Sequence, residues 1–179
     1  ASAYTWATIP RETAETWVEE CLDAVTVDYG NTILQSTARN AYAADRMKRI
    51  LKRTVWALGE QLRKGLFTPE NYEISFSSVS DLEAVSIALS EEEKLRLRGR
   101  IDRVDTCEDE GHVYVKVVDY KSGNTSFQLL SLYHGLQLQL VVYLNAALEL
   151  EKKKHPDKEV LPAGIFYYPI QDPVLDLEP

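Results

Sequence analysis

Over the first 66 residues of the chain, apolar residues recur every three or four positions, which is the spacing of an α-helix. Pro10 suits the first turn of a helix, with Thr8 just before it as a cap. Gly30 and Asn31 interrupt the pattern, and a longer helix is predicted over residues 37–64, ended by Gly65. The apolar positions of the two helices are Ala14, Trp17, Val18, Cys21, Leu22, Val25, Met47, Ile50, Leu51, Val55, Leu58 and Leu62.

The middle of the chain changes to a period of two, which is typical of strands. Tyr72, Ile74 and Phe76 alternate with polar residues, as in a half-buried strand. This order of strands predicts a three-stranded antiparallel meander. The other predicted elements here are strands over residues 82–89, 95–102 and 112–121, with a polar turn at 91–93 and an acidic turn at 106–111.

The last part of the chain returns to helical spacing and then to a strand. A helix is predicted over residues 130–154, ended by Pro156, and a strand over residues 163–168. The pattern as a whole predicts an α/β domain in which helices cover a mixed sheet. A length of 179 residues favours a single domain, with a helical part over residues 1–66 and a sheet core over residues 70–179.

The charge of the chain argues against a protein that coats DNA without specificity. The chain has 20 Lys and Arg against 28 Asp and Glu, for a net charge of −8. An acidic average still leaves room for a local basic groove. The second helix carries a group of basic side chains on one face. A solvated face is the simpler interpretation of this group, and a nucleic-acid surface is the alternative. Its members are Arg46, Lys48, Arg49, Lys52 and Arg53.

Cysteine usage and the termini suggest a piece of a cytoplasmic protein. Cys21 and Cys107 are too far apart for a zinc cluster, and two cysteines do not make a disulfide scaffold, so a reducing cytoplasm fits best. The first residues lack the features of a signal peptide, and the chain lacks an initiator Met. Residues 122–148 contain no charged side chain, but their amide groups favour a buried helix over a membrane span.

Three acidic and basic side chains are candidates for chemistry on two neighbouring strands. Asp119 and Lys121 alternate on one strand and therefore project from the same face. Asp102 lies near the end of the preceding strand, and a tight meander would bring it beside Asp119, so that two carboxylates could share one hard cation. An ordinary ion pair at a strand end is the alternative for Asp119 and Lys121.

Two further groups of polar residues surround these candidates. Arg96, Arg98 and Arg100 face the same side as Asp102 and could follow a phosphate backbone, or could instead pair with the acidic turn at residues 91–93 or a neighbouring helix. Gln139 and Tyr143 share one face of an otherwise apolar helix. A buried polar pair of this kind needs a partner, which is either a local network or a bound ligand.

Together these motifs resemble the RecB-type branch of the PD-(D/E)XK nuclease superfamily, and within it the AddB-type nuclease domains of bacterial ATP-dependent helicase–nucleases. The resemblance covers about residues 95–173. The matching segments are GRIDRVD at residues 99–105, DYKSG at 119–123, GLQLQLVVYL at 135–144 and AGIFYY at 163–168.

The resemblance implies a restriction-endonuclease-like fold and a role for each candidate residue. Asp102 and Asp119 would bind Mg²⁺ or Mn²⁺ together with the backbone carbonyl of Tyr120, and Lys121 would orient the attacking water. Gln139 and Tyr143, with Arg98 and Arg100, would position the lysine or the DNA strand. The parent protein would process broken DNA ends for recombination together with an AddA-type helicase–nuclease subunit.

The sequence departs from this family at two points. None of its three histidines precedes His112, although many members carry a metal-binding histidine on an upstream helix. The family also implies an iron–sulfur cluster held by four cysteines, of which only Cys21 and Cys107 are candidates here, so the ligands are absent. Both departures would fit a fragment excised from a longer protein. Glu73 and Glu83 are candidates for a substitute carboxylate ligand of the metal.

Three hypotheses follow, led by a metal-dependent deoxyribonuclease domain. The second is a nuclease fold without strong catalysis that serves DNA binding or subunit docking. The third is an ordinary α/β domain in which Asp119 and Lys121 form an ion pair. Binding of a divalent metal that is lost on Asp119→Ala separates the nuclease from the binding or docking module. The third hypothesis predicts no metal binding.

Overall fold

A computed structural model describes residues 4–28, 36–75, 86–88, 94–96, 99–123, 126, 128–134 and 138–171, with backbone only for 86–88 and 94–96. The chain divides into two compact units, Ala1–Leu66 with Ile170–Pro179, and Phe67–Pro169. The last residues, Ile170–Pro179, which were predicted as part of the sheet core, are grouped with the first unit. That the two parts work as a single nuclease domain stays a prediction.

The first unit contains the two predicted helices, α1 (Arg11–Asp28) and α2 (Ala38–Arg63). Thr37 caps α2, because its side chain accepts a hydrogen bond from the backbone N–H of Asn40. The predicted cap at Thr8 is wrong. Thr8 Oγ1 lies in the turn before α1 and accepts a hydrogen bond from Thr5 N at 2.9 Å. The predicted break at residues 30 and 31 lies outside the described residues.

The apolar faces of α1 and α2 meet beside an apolar cavity of about 510 Å³. Across the same contact, Lys48 Nζ lies 2.6 Å from Asp23 Oδ1, and Lys52 forms an ion pair with Glu19. Two of the five cations expected on a solvated face are therefore paired with α1. The cavity is lined by residues that include Trp6, Trp17, Val18, Leu22, Leu51 and Val55.

The second unit is built on a four-stranded mixed sheet, which confirms the predicted architecture. β4 (Arg100–Glu108) pairs antiparallel with both β1 (Thr68–Ser75) and β5 (His112–Lys121). β6 (Glu159–Pro169) pairs parallel with β5, which makes the strand order β1-β4-β5-β6. Because a parallel pair needs a crossover connection, the chain between β5 and β6 contains helices. These are α3 (Leu129–Tyr133) and α4 (Gln139–Lys154).

One predicted strand, over residues 95–102, is wrong. The chain instead forms β3 (Lys94–Arg96), which pairs with β2 (Ser86–Ala88) in a separate two-stranded sheet, and then begins β4 at Arg100. β4 continues through Glu108, past the start of the predicted acidic turn, because its last residues pair with β5. Asp109 closes the shorter turn by accepting hydrogen bonds from the N–H groups of Gly111 and His112. The predicted turn at residues 91–93 lies outside the described residues.

The helix predicted over residues 130–154 is two helices, α3 and α4. The sequence places Gly135 between them, and glycine costs a helix about 1 kcal/mol relative to alanine. The final strand begins at Glu159, earlier than the predicted residue 163, because its pairing with β5 starts at His112. Pro162 is tolerated there because β6 is an edge strand, with the ladder shifted next to it.

The core of the second unit lies between the sheet and α4. Alternate residues of β5 point toward the helix, where two alanines let the backbone approach closely. Among the described helices, none is long and apolar enough to cross a lipid bilayer. The buried core consists of Ile101, Val104, Val113, Val115, Val117, Leu140, Tyr143, Ala146, Ala147 and Val160.

Candidate active site

Asp119 and Lys121 form an ion pair at the end of β5. Because successive strand residues alternate between faces, both side chains point to the face that carries α4. Asp119 is 3% exposed, and its Oδ2 lies 2.5 Å from Lys121 Nζ. The predicted juxtaposition of this acid and this base is therefore present in the structure.

Asp102 occupies the position opposite Asp119 on the neighbouring strand. Arg103 faces Val118 in the antiparallel pair of β4 and β5, and continuing this register by one residue places Asp102 level with Asp119. Directly opposed residues point to the same face of a sheet. Asp102 Oδ2 also accepts a hydrogen bond of 2.8 Å from the backbone N–H of Tyr120. The structure thus brings the two predicted carboxylates together.

The charged state of Lys121 is favoured by these carboxylates. Burial alone would lower the pKa of its ammonium group. The hydrogen bond and charge of Asp119 outweigh burial, and Tyr167 and Asp102 add to the effect, so the pKa of Lys121 is raised above its ordinary value. Lys121 is therefore a cationic hydrogen-bond donor at neutral pH.

The N-terminal part of α4 contributes Gln139 and, one turn later, Tyr143. Gln139 Oε1 lies 3.5 Å from Lys121 Nζ, and Gln139 Nε2 donates a hydrogen bond of 2.8 Å to the hydroxyl of Tyr143. Tyr143 is 7% exposed and belongs to the core. Of the two expectations for this polar pair, the structure contains the local network, and that network extends to Lys121.

Tyr167 is a site residue that the sequence reasoning missed. It pairs with Asp119 across the parallel strands β5 and β6, and its ring centroid lies 5.3 Å from Lys121 Nζ. A cation at this distance from an aromatic ring is attracted to it. Residues 163–168 are one of the segments that resemble the nuclease family, but nothing in their pattern assigned a role to this tyrosine.

The oxygen donors of the two aspartates are of the kind that binds hard divalent cations. Within the described residues, no group of three His, Cys, Asp or Glu side chains is placed to hold a metal. Mg²⁺ is commonly held by one or two carboxylates, with water and substrate phosphate completing its shell. The polar contact recorded for the buried Asp119 Oδ2 in the described part of the chain is the Lys121 ammonium, so this oxygen already holds a cation and has the charge to bind another. The part of the Tyr120 carbonyl stays a prediction.

The remaining candidate residues are Glu73, Glu83, Arg98 and Arg100. Those that the structure describes do not form a ligand group with Asp102 and Asp119. Glu73 Oε2 lies 2.6 Å from Arg100 Nε, and both side chains are exposed. In the structure Glu73 pairs with the guanidinium of Arg100, and a ligand role for Glu73 stays a prediction. Glu73 also has a φ of 55°. Arg98 and Glu83 lie outside the described residues.

A buried ionic cluster, also missed by the sequence reasoning, lies on the opposite face of the same strands. Asp105 is fully buried, and its carboxylate contacts Arg103 through Nε at 2.7 Å and Nη2 at 3.0 Å. Lys116 Nζ lies 2.9 Å from the same carboxylate. Arg103 Nη1 also donates a hydrogen bond of 2.7 Å to the hydroxyl of Tyr120, the residue between Asp119 and Lys121.

Comparison with known proteins places these motifs in a family. Residues 2–177 match the profile described as the PD-(D/E)XK nuclease superfamily. The chain is 47% identical over 170 residues to a protein of Lachnoclostridium phytofermentans named as the B subunit of an ATP-dependent helicase/deoxyribonuclease, covering 95% of this chain and 14% of that protein. Proteins of the same name from Alkaliphilus oremlandii and Alkaliphilus metalliredigens are 43% and 44% identical, each match covering 95% of this chain and 15% of the relative. The chain thus spans about one seventh of the length of these relatives.

Proposed function

The chain belongs to the PD-(D/E)XK nuclease superfamily, and we propose that it is a metal-dependent deoxyribonuclease domain that hydrolyses phosphodiester bonds. The observation that carries the proposal is the opposition of Asp102 and Asp119 on adjacent strands, with Lys121 in contact with the buried carboxylate. A domain that only bound DNA would not need two carboxylates and an ammonium group at one strand end.

In the proposed reaction, Asp102 and Asp119 would hold a catalytic Mg²⁺, or Mn²⁺ in its place, and the carbonyl of Tyr120 would be a further ligand. A divalent ion bound there would lower the pKa of a coordinated water and polarise a phosphoryl oxygen of the scissile bond. The two carboxylates would bind the ion. The backbone N–H of Tyr120 orients the Asp102 side chain by donating a hydrogen bond to it.

Lys121 is the residue that we propose to act on the attacking water and on the charge that develops on the phosphoryl oxygens. An ammonium group can donate to a water lone pair and attract negative charge in the transition state. Gln139, itself held by Tyr143, fixes the position of Lys121. We propose that Arg98 and Arg100 contact the phosphate backbone. For Arg100, a phosphate would have to replace Glu73, its exposed ion-pair partner.

The names of the relatives suggest the larger context. We propose that the chain is the nuclease module of a bacterial helicase–nuclease that acts in the repair of double-strand breaks, with DNA as substrate and an AddA-type helicase–nuclease as the partner protein. A cytoplasmic location fits that role. We propose that the full-length protein holds an iron–sulfur cluster, for which it would need cysteines beyond the two of this chain.

The test is cleavage of end-labelled single- and double-stranded DNA in Mg²⁺, in Mn²⁺ and in chelator. We expect metal-dependent cleavage that Asp119→Ala and Lys121→Ala abolish. Lys153→Ala is the matched control, because Lys153 is a lysine in the last turn of α4 that pairs with Glu149.

The competing function is a nuclease fold that serves DNA binding or subunit docking with little catalysis, and the missing upstream histidine favours it for this chain. A folded chain that neither cuts DNA nor binds metal would support this interpretation and would contradict the proposed metal site. A folded chain that binds metal through Asp119 but does not cut DNA would instead indicate that the upstream histidine or the partner protein is needed for cleavage.

A further inference from the structure

Helix α2 carries a row of arginines on its outer face. At 3.6 residues per turn, Arg39, Arg46, Arg49 and Arg53 fall within a sector of about 80° around the helix axis, and Tyr42 falls within the same sector. All five side chains belong to the exposed class. The buried residues of α2, which include Leu58 and Leu62, lie on the other side of the helix. We call these four arginines and Tyr42 the arginine row.

The structure sorts the cations of α2 into two groups. The helix has seven cationic and two anionic side chains in a chain of net charge −8, so positive charge is concentrated here. Lys48 and Lys52 are oriented toward α1, where they pair with Asp23 and Glu19 and are only about one quarter exposed. The arginines of the row lie outside this contact. The two lysines therefore stabilise the helix pair, whereas the arginines lie on the exposed face, where Arg53 Nη2 also donates a hydrogen bond of 3.3 Å to the backbone carbonyl of Gln171.

Arginine is suited to phosphate because its planar guanidinium can donate two parallel hydrogen bonds to one anion. Arg39 and Arg53 are separated by 14 residues, and at 1.5 Å per residue the row is about 21 Å long. A row of this length can follow several phosphates of one strand. An acidic polypeptide could neutralise the same charge, so charge alone does not identify the partner.

Tyr42 favours a nucleic acid over an acidic polypeptide. Its side chain is 63% exposed in the middle of the row, between Arg39 and Arg46. An exposed aromatic ring among arginines is the combination with which proteins bind single strands, since the arginines bind phosphates and unstacked bases stack on the ring. Duplex DNA keeps its bases stacked and would leave this ring without a partner.

We propose that the arginine row of α2 is a binding surface for single-stranded DNA, separate from the residues of the candidate active site. Arg39, Arg46, Arg49 and Arg53 bind consecutive stretches of the phosphate backbone, and Tyr42 stacks on a base. The surface is made by the first unit of the chain alone. Binding there needs neither a metal ion nor Asp102, Asp119 and Lys121.

The test is binding of a fluorescently labelled single strand to the whole chain in chelator, where no metal-dependent cleavage can occur, at several salt concentrations. For Arg46→Ala/Arg49→Ala we expect weaker binding and a slope of log affinity against log salt that is smaller by about 0.7 for each lost phosphate contact. For Tyr42→Ala we expect about tenfold weaker binding to single strands, with duplex binding unchanged.

Lys48→Ala/Lys52→Ala is the matched control, because it removes two positive charges from the same helix on the side that faces α1. We expect it to keep the affinity and the salt slope, with folding of each variant checked by circular dichroism. An equal loss in both double variants would overturn the proposal, since binding would then follow total charge. Binding of polyglutamate with no binding of DNA would also overturn it and would assign the row to an acidic polypeptide instead.

The readouts separate this proposal from the proposed nuclease. Loss of cleavage in Asp119→Ala with unchanged DNA binding in chelator leaves the arginine row standing. Conversely, unchanged DNA binding in Arg46→Ala/Arg49→Ala refutes the arginine row and leaves the metal site untouched.

Discussion

The carboxylate of Asp102 on β4 accepts a hydrogen bond of 2.8 Å from the backbone N–H of Tyr120 on β5. Tyr120 lies between Asp119 and Lys121, so this bond ties Asp102 to the strand segment that carries the other two candidate residues. It also occupies one oxygen of Asp102 with a neutral donor. The carboxylate has two separable tasks, which are to hold the strand and to supply negative charge.

Variants of Asp102 can separate these two tasks. Asp102→Asn keeps an oxygen that can accept from Tyr120 N but removes the charge, whereas Asp102→Ala removes both. We expect both variants to lose metal affinity by more than the about 10–100-fold typical for loss of an outer-shell partner. Only Asp102→Ala should also lower stability, by about 1 kcal/mol for the lost hydrogen bond. Calorimetric Mn²⁺ titration and urea unfolding measure the two effects, and equal metal affinity in Asp102→Asn and wild type would contradict the proposed ligand role.

Removal of Lys121 should destabilise the chain most in the absence of metal. Lys121→Met leaves the buried Asp119 without its cation, which costs up to about 3–5 kcal/mol, and less here because Lys121 is 24% exposed. Mg²⁺ should restore part of the loss, since it binds only the folded site. The measurement is the thermal midpoint in chelator and in Mg²⁺. Asp119→Asn/Lys121→Met should be more stable in chelator than Lys121→Met, and a double variant as unstable as the single one would argue against a penalty from the unpaired carboxylate.

Tyr143→Phe should affect the reaction more than the fold. The hydroxyl accepts one hydrogen bond from Gln139, whose side chain is exposed, so water can replace the partner and the cost is about 1 kcal/mol or less. Gln139 would then hold Lys121 less firmly, and we expect kcat for DNA cleavage to fall while KM changes little. Leu148→Met, on the same helix, is the control. A change confined to KM would place Tyr143 in DNA binding instead.

The ionic cluster behind the site should be costly to break. Arg103→Met leaves Asp105 fully buried with Lys116 as its remaining cation, so we expect a loss of stability approaching the about 3–5 kcal/mol measured for broken buried pairs. Arg103→Met/Asp105→Leu should be milder than the single change because it leaves no unpaired buried carboxylate. Urea unfolding of the two variants gives the comparison, and a double variant less stable than Arg103→Met would contradict this view of the cluster.

Acid sensitivity should be traceable to Glu70. Burial opposes its charge, but a hydrogen bond from Thr106 and the ammonium of Lys154 prevail, so the pKa of Glu70 lies below its ordinary value of 4.5. A lowered pKa contributes stability that is fully present above 4.5 and is lost as the pH falls through the folded value. The neighbouring charged groups are Glu151 and His155.

The corresponding variant is Glu70→Gln. We expect it to be less stable than wild type at neutral pH and to show a flatter dependence of stability on pH below 4.5. Urea midpoints measured from neutral pH down to the acid limit provide the data. Parallel curves for the two proteins would show that Glu70 has no part in the acid transition.

Features that depend on neighbouring positions in the chain were predictable. The bounds of β5 follow from the alternation of valines with polar residues, and the placement of Asp119 and Lys121 on one face follows from the same pleat. The ends of α2 follow from Thr37 and from the glycine after Lys64. Such features were encoded locally, because each strand or helix imposes its period on consecutive residues.

Features that depend on distant segments were decided by the tertiary structure. The replacement of one predicted strand by β3 and β4, the position of Tyr167 beside Lys121, and the burial of Arg103 with Asp105 all arise from pairing between separate strands. On α2, packing against α1 decided which cations are held in that contact and which lie on the exposed face. The sequence by itself determined which residues can share a face. Only the long-range packing chose the register and the neighbours, because a register is selected by the total free energy of contacts between segments far apart in the chain.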